Sequence, residues 1–282
     1  MRIQSRAIIG LMAVLPLLIV PPVSAVSVHR LSDEEITLLQ TILERLRPLV
    51  EERKQAGTAP LLTFEELFAP LDLSQIRFLE RIRALDPDSL GGSSRRLPLP
   101  TGRERFVRLD SQLLWRDKEP QQIDAQYLPQ PVYEDYTAMM RAMEEELGKR
   151  LLVESGYRAP AYQLYLFLFF LPKHGYSIQE TNRFVALPGC SEHGAPSRQA
   201  IDFITPSGIN GEDRPEEFEE LQEYTWLLNR AHEFGFHLSY PKGGPAAFEP
   251  WHWHWLQQSE RAAPGPSGHW LPKGERAGHG PD

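Results

Sequence analysis

The stretch Glu249-Pro250-Trp251-His252-Trp253-His254-Trp255 alternates strictly between indole and imidazole side chains after its proline. Successive side chains of a β-strand point to opposite faces, so the tryptophans would share one face and the two histidines the other. An aromatic face packs well in a core, whereas two histidines on the opposite face need polar partners or a metal ion. The pattern predicts a strand that places its histidines in a polar or metal-binding site.

A second block upstream offers further ligands, in Ser191-Glu192-His193 and Ala200-Ile201-Asp202. His193 and Asp202 are nine residues apart, which would put them on opposite faces of a helix, so a helical metal motif is excluded. The remaining arrangement is one ligand on a loop and one on a strand over residues 200–204. An aspartate in so apolar a strand needs a partner, and the sequence leaves open whether that partner is a metal ion or a salt bridge.

Length and composition limit the class of protein. The chain has 282 residues, of which 41% are hydrophobic, so it can form one substantial domain with additions or two small ones, and global disorder is excluded. A net charge of −8 argues against a nucleic-acid-binding protein. The single cysteine, Cys190, excludes an intramolecular disulfide framework and is expected to be a buried, inert thiol.

Residues 1–25 have the pattern of a secretory signal peptide. Two arginines precede an apolar run over residues 7–20, which is short for a bilayer span, and Val23-Ser24-Ala25 supplies small residues for cleavage. We expect the mature chain to begin near Val26, to have no membrane span, and to be periplasmic or secreted. The alternative is an uncleaved membrane anchor.

Residues 26–102 predict a helical N-terminal extension and linker. Apolar residues recur at helical spacing from Leu31 to Gln55, and capping-box patterns start at Ser32 and Thr63. Residues 86–102 are rich in Pro, Gly and Ser and predict a linker or long loop. The region has no cluster of catalytic residue types, so we expect it to pack on the main domain or on a partner.

Residues 103–258 predict a second domain of mixed helices and strands. The sequence pattern favours helices over residues 132–147 and 215–234, ended by glycines, and strands over residues 151–153, 236–240 and 249–255. The Gly/Pro-rich link between the last two strands predicts an antiparallel pair. Residues 259–282, dominated by Gly, Pro and charge, are predicted to be a disordered tail.

These motifs resemble the D-alanyl-D-alanine carboxypeptidase family of zinc peptidases (the VanY-like, LAS group). Four blocks match in the family's order and span roughly residues 105–257: Ser155-Gly156-Tyr157-Arg158 with Gln163, residues 191–202, Trp226-Leu227 through Gly235-Phe236 to Tyr240-Pro241, and Glu249-Pro250-Trp251-His252. The resemblance implies an α+β fold of the Hedgehog/D-Ala-D-Ala peptidase type with a central antiparallel sheet.

The resemblance also implies a ligand set for Zn²⁺. His193, Asp202 and His252 would hold the ion and leave the fourth position for water, the open arrangement of a catalytic site. Zinc lowers the pKa of its water to about 7, which makes that water a nucleophile near neutral pH. Glu249 would then be the general base that passes the proton to the leaving amine.

The same resemblance implies roles for residues around the metal. Arg158 would clamp a substrate carboxylate or stabilise the oxyanion, since its planar guanidinium suits both tasks. Gln163 and Ser191 would line the pocket or position the substrate and Arg158.

Two departures from the family pattern stand out. Eight residues separate His193 from Asp202, two more than the family usually has, and this insertion puts substrate preference in doubt more than metal binding. His254 stands where the family more often carries an arginine. Side chains two apart on a strand are separated by about 7 Å, so His252 and His254 are not expected to share one metal ion. We assign His254 as a pocket residue that is hydrogen-bonded or faces the substrate.

The expected function is hydrolysis of peptidoglycan stem peptides by a zinc D,D-carboxypeptidase. Alternatives are a peptidoglycan endopeptidase of the same fold, a non-catalytic cell-wall-binding module, and, more weakly, a periplasmic metal carrier. Retention of both Glu249 and Arg158 argues against the pure binding module, because a protein that only binds needs no general base.

Overall fold

Helices make up the N-terminal part of the structure, and short antiparallel strands alternate with helices after it. The computed structural model describes residues 26–90, 95–116, 119–244 and 246–257. The predicted signal peptide and the predicted tail lie outside these ranges. Within them the α-helices are α1 (Asp33–Gln55), α2 (Phe64–Phe68), α3 (Leu73–Arg83), α4 (Gln130–Leu147), α5 (Pro160–Phe170), α6 (Ile178–Thr181), α7 (Pro215–Glu219) and α8 (Gln222–Arg230). The strands are β1 (Phe106–Leu109), β2 (Leu113–Arg116), β3 (Glu119–Gln122), β4 (Gln126–Pro129), β5 (Leu152–Ser155), β6 (Ala200–Ile204), β7 (Phe236–Leu238) and β8 (His252–Trp255).

A four-stranded antiparallel sheet in the order β5-β6-β8-β7 forms the centre of the C-terminal part. Two smaller antiparallel pairs, β1-β4 and β2-β3, accompany it. The fold is therefore α+β with a central antiparallel sheet, and the predicted pairing of the last two strands is confirmed. Strand β8 begins at His252, later than predicted, because the His252 amide donates back to the Glu249 carbonyl at 3.3 Å and closes a turn.

The two faces of β8 have the opposite characters that its alternation predicts. Trp253 and Trp255 are buried in one hydrophobic cluster with Met139 and Met143 of α4 and with Leu227 of α8. The histidines between them point to the other side of the sheet. Burial of the two indoles thus fixes the register that places the imidazoles together.

Local sequence signals set the ends of several helices. Both predicted capping boxes, at Ser32 and at Thr63, are present, and α4 ends at Gly148 in the left-handed conformation with φ of 66°. The helix predicted over residues 215–234 is instead broken into α7, α8 and a 3₁₀ turn. Its break lies at Leu221, whose extended backbone (ψ 143°) caps α8.

The N-terminal helices pack on α5, the helix that follows strand β5 of the central sheet. Leu46 of α1 and Phe78 of α3 share a hydrophobic cluster with Leu164 and Leu168 of α5. The division of the chain at residues 102 and 103 stays a prediction, but the extension and α5 have one core in common. No helix in the part of the chain that the structure describes has the length and apolar character needed to cross a bilayer.

Truncation of Leu46 tests this shared core. Leu46 is fully buried, so Leu46→Ala is expected to lower the free energy of unfolding by about 2–5 kcal/mol, through lost burial and the cavity left behind. Leu73→Ala is the matched control, because Leu73 is 62% exposed and its truncation should change that free energy by less than about 0.5 kcal/mol. Urea titration followed by circular dichroism measures both. Equal effects of the two variants would contradict the packing described.

Candidate metal centre

Three side chains from two distant stretches of sequence meet on the central sheet. Asp202 of β6 and His252 of β8 are direct partners across the antiparallel ladder. His193 comes from a 3₁₀ turn, Glu192–Gly194, that precedes β6. One ligand atom from each residue lies within 4.8 Å of the others, so the three form a candidate metal-binding group.

The tautomer of His193 leaves one ring nitrogen free to bind a cation. Its Nδ1 lies 2.7 Å from the Gly156 carbonyl oxygen, which can only accept, so Nδ1 carries the hydrogen. Burial lowers the pKa of His193 to about 4, so the ring is neutral and Nε2 bears a lone pair. That buried Nε2 has no hydrogen-bond partner among the described residues, yet it lies 3.1 Å from Asp202 Oδ2.

His252 has the complementary arrangement. Its Nε2 lies 3.2 Å from Glu192 Oε2 and donates to that carboxylate, while its Nδ1 lies 2.8 Å from Asp202 Oδ1. Burial would lower the pKa of His252, but the Asp202 and Glu192 carboxylates outweigh it and raise that pKa to about 10. Without a metal ion, a second proton therefore occupies the side of the ring that faces Asp202.

The donor set fits a divalent ion such as Zn²⁺. A lone pair on His193 and a carboxylate oxygen of Asp202 approach each other with no hydrogen between them, which is unfavourable unless a cation neutralises both. Burial would raise the pKa of Asp202, but the two adjacent histidines hold it well below its usual range, so it is an anion. Two imidazoles and one carboxylate are ligands that zinc takes in proteins with an open fourth position.

Glu192 is a central residue of the site to which the sequence analysis assigned no role. Its buried carboxylate accepts hydrogen bonds from His252 Nε2, from Ser239 Oγ at 2.6 Å and from Arg198 Nε at 2.7 Å. Burial would raise the pKa of Glu192, yet His252 and the hydrogen bond from Ser239 hold it far below its usual value. Histidines that bind metals commonly donate their other ring hydrogen to a carboxylate, but no sequence pattern pairs Glu192 with His252.

The longer segment between His193 and Asp202 serves this network. It folds into two 3₁₀ turns, Glu192–Gly194 and Pro196–Arg198, and the second turn returns Arg198 to the Glu192 carboxylate. The two additional residues thus lie in a segment that brings a cation to Glu192.

His254 is buried in a hydrogen-bonded chain next to the ligands. Its Nδ1 lies 2.8 Å from Ser239 Oγ, and Ser239 in turn donates to Glu192. Burial lowers the pKa of His254 to about 3, so the ring is neutral and its Nδ1 hydrogen is donated to Ser239. The candidate metal-binding group includes His252 and not His254.

Glu249 and Arg158 lie close to the three ligands. The Glu249 Oε2 atom is 3.8 Å from His252 Nδ1, and burial raises the pKa of Glu249 to about 7. Arg158 is half-buried, and its Nε atom is buried and has no hydrogen-bond partner among the described residues. Its backbone N–H donates to the His193 carbonyl at 3.0 Å. Burial lowers the pKa of Arg158, although the negative charges of Asp202 and Glu249 act to raise it.

Three further predicted residues are buried, namely Gln163, Ser191 and Cys190. Gln163 donates from Nε2 to the Ala186 carbonyl at 2.8 Å, and its Oε1 has no hydrogen-bond partner among the described residues. Ser191 is buried at the start of the turn that carries His193, and its carbonyl accepts from Gly194. Cys190 is a buried free thiol, as expected. Tyr240, which had been given no role, places its ring 5.0 Å from that of His252.

The fold and the site define an α+β protein with a buried candidate metal centre beside a carboxylate and an arginine. Residues 125–258 match the VanY family model, described as D-alanyl-D-alanine carboxypeptidase. The match covers both strands and the turn that supply the three ligands. The chain is therefore VanY-like over this region, and the family and its relatives support a D-Ala-D-Ala carboxypeptidase-like peptidase.

Named relatives carry related activities. The chain is 28% identical over 142 residues to the bifunctional D-Ala-D-Ala dipeptidase and D-Ala-D-Ala carboxypeptidase VanXYC of Enterococcus gallinarum. The aligned region covers 46% of this chain and 67% of VanXYC. Among solved structures, the LD-carboxypeptidase LdcB matches at 24% identity and a TM-score of 0.44, covering 59% of this chain and 74% of LdcB. A variant of the D,D-pentapeptidase VanY from a VanB-type resistance cassette, in complex with Zn(II), matches at 22% identity and a TM-score of 0.43, covering 61% of this chain and 90% of that one.

Replacement of Glu192 tests its support of the centre. Glu192→Gln removes the charge that orients His252, so affinity for Zn²⁺ is expected to fall about 10- to 100-fold. Glu233→Gln is the matched control, because Glu233 pairs with Arg230 and is not part of this network. Competition with a chromogenic chelator measures both affinities. An unchanged affinity in Glu192→Gln would show that the carboxylate has no part in metal binding.

Proposed function

We propose that this chain is a zinc-dependent peptidase that removes the terminal D-alanine from peptidoglycan stem peptides ending in D-Ala-D-Ala. The observation that carries the proposal is the convergence of His193, Asp202 and His252 to within 4.8 Å, with Glu249 3.8 Å from His252. The family match over residues 125–258 supports the same activity.

In this proposal His193, Asp202 and His252 hold the zinc ion. When bound, zinc acts as a Lewis acid that polarises the scissile carbonyl and lowers the pKa of water. The strand pairing of Asp202 with His252 and the bond from His193 to Gly156 hold these ligands before substrate arrives. Such preorganisation removes a reorganisation cost from the reaction.

Glu249 is the proposed general base. A carboxylate with a pKa of about 7 takes a proton from water near neutral pH and can return it to the leaving amine. Its backbone N–H donates to the Tyr240 carbonyl at 3.1 Å, which ties the loop before β8 to the loop after β7. This contact fixes the carboxylate on the ligand side of the sheet.

Arg158 is the proposed binding group for an anionic substrate oxygen. The buried Nε of its guanidinium has no hydrogen-bond partner among the described residues, and such a donor favours a carboxylate or an oxyanion as its acceptor. Gln163 and Ser191 are proposed to position Arg158 and the turn that carries His193, and His254 to hold Glu192 through Ser239.

Export is part of the proposal. A wall peptidase must meet its substrate outside the cytoplasm, and the signal-like pattern of residues 1–25 supplies that route. We propose a periplasmic or secreted protein, which cell fractionation with an antibody against the mature chain would test.

The direct test uses the mature chain with a stem pentapeptide that ends in D-Ala-D-Ala. Mass spectrometry should detect loss of one alanine, and a chelator should abolish that loss until Zn²⁺ is restored. Cleavage within a cross-link of intact sacculi, with the pentapeptide left whole, would instead favour the endopeptidase. A protein that binds zinc and wall peptides without cleaving either would be the non-catalytic module.

Replacement of Glu249 separates catalysis from metal binding. Glu249→Gln should lower kcat about 10²- to 10⁴-fold, because the proton acceptor is lost. Zinc content, measured by atomic emission, should stay at the wild-type level, since Glu249 is outside the ligand group. His174→Gln is a control that should change neither quantity, because His174 stacks on Phe184 outside that group. Turnover retained in Glu249→Gln would refute the assigned role.

A further inference from the structure

A cavity of about 150 Å³ lies between the N-terminal helical region and the segment that leads from β5 into α5. Lys54 and Pro60 line it from the N-terminal side, and Ser155, Arg158 and Tyr162 line it from the other. The volume suits a group the size of a small amino acid. One wall of this cavity therefore comes from residues 54–60, which precede the family-matched region.

The cavity adjoins the metal centre through two of its lining residues. Ser155 is the partner of Asp202 across the β5-β6 ladder. The Arg158 backbone donates to the carbonyl of His193, which places the arginine directly next to the turn of that ligand. A molecule in the cavity would lie beside the residues proposed to bind the scissile peptide.

Residues 54–60, the N-terminal wall of the cavity, are held in place by hydrogen bonds to residues of the C-terminal part of the chain. The Pro60 carbonyl accepts from the Ala159 N–H at 2.8 Å, one residue after Arg158. The Gly57 carbonyl accepts from the Tyr127 hydroxyl at 2.9 Å. Gly57 has φ of 67°, and a Cβ there would come within 2.9 Å of the Ala125 Cβ, so only glycine allows this close approach. Residues 54–60 are thus a fixed part of the cavity.

The charges in the cavity favour an anion. Two lining side chains, Lys54 and Arg158, are cationic, and one, Asp124, is acidic. The Arg158 Nε atom is buried and unpartnered among the described residues, and an unmade hydrogen bond from a charged donor is costly. A carboxylate would satisfy that donor, and the exposed Lys54, which also lines the cavity, would add a second positive charge.

We propose that residues 54–60 complete the substrate site, and that Lys54 together with Arg158 selects peptides with a free C-terminal carboxylate. This inference rests on the proposed function and adds to it the residues that would recognise the C-terminal carboxylate of the substrate. A peptide whose C-terminus is amidated or cross-linked lacks the negative charge and would bind less well. The N-terminal extension then determines specificity.

Two peptides that differ only at the C-terminus test the inference. The stem pentapeptide ending in D-Ala-D-Ala and its C-terminal carboxamide are compared by kcat/KM and by calorimetric binding. Wild type should prefer the free acid in both measurements. Lys54→Met should lower kcat/KM and affinity for the acid about 3- to 5-fold, the range of a partly exposed ion pair, and leave the amide unchanged.

The matched control is Lys149→Met. Lys149 pairs with Glu223 and does not line the cavity, so both peptides should behave as with wild type. An equal loss of affinity for acid and amide in Lys54→Met, or no loss for either peptide, would overturn the inference. Wild-type protein that binds the two peptides equally, or binds neither, would overturn it as well.

Failure of the proposed function is distinguishable from failure of the cavity assignment. Selective, Lys54-dependent binding of the acid without hydrolysis would support the carboxylate site and reject the peptidase. Hydrolysis of acid and amide at equal rates would reject the carboxylate site and leave the peptidase standing.

Discussion

The Asp202 carboxylate lies between two imidazoles, 3.1 Å from His193 Nε2 and 2.8 Å from His252 Nδ1. In each ring the other nitrogen already donates its hydrogen, in His193 to the Gly156 carbonyl and in His252 to the Glu192 carboxylate. A largely buried carboxylate faced by two such nitrogens needs a cation or an extra proton to be stable. This electrostatic constraint explains why the ligands, their hydrogen-bond acceptors and the strands that carry them occur together.

The hydrophobic core and the polar site depend on each other through strand β8. Its buried tryptophans fix the sheet register, and a slip of one residue would send the imidazoles into the core. On the polar face, Glu192 joins His252, Ser239 and Arg198 into one network. The N-terminal helices complete the arrangement, because their core is shared with α5, the helix that starts directly after Arg158.

Much of this arrangement could be predicted from the sequence where the signal was local. Alternation of tryptophan and histidine predicted the strand and its two faces, and the capping residues predicted the ends of helices. The contacts of Glu192 could not be predicted, since its partners Ser239 and Arg198 carry no pattern that pairs them with it. The bond from Ala159 to Pro60 joins residues almost a hundred positions apart, and no periodicity specifies such a contact. Leu221 breaks a helix that apolar spacing alone would continue.

Metal binding by His193, Asp202 and His252 underlies both the geometry of the site and the proposed function. X-ray absorption at the zinc edge, on protein purified without added chelator, tests it most directly. We predict one zinc per chain, with imidazole nitrogens and oxygens at about 2.0–2.2 Å and the multiple-scattering pattern of two histidines. A shell of sulfur at about 2.3 Å would place the metal at Cys190 instead. No zinc retained after dialysis against micromolar Zn²⁺ would contradict the account.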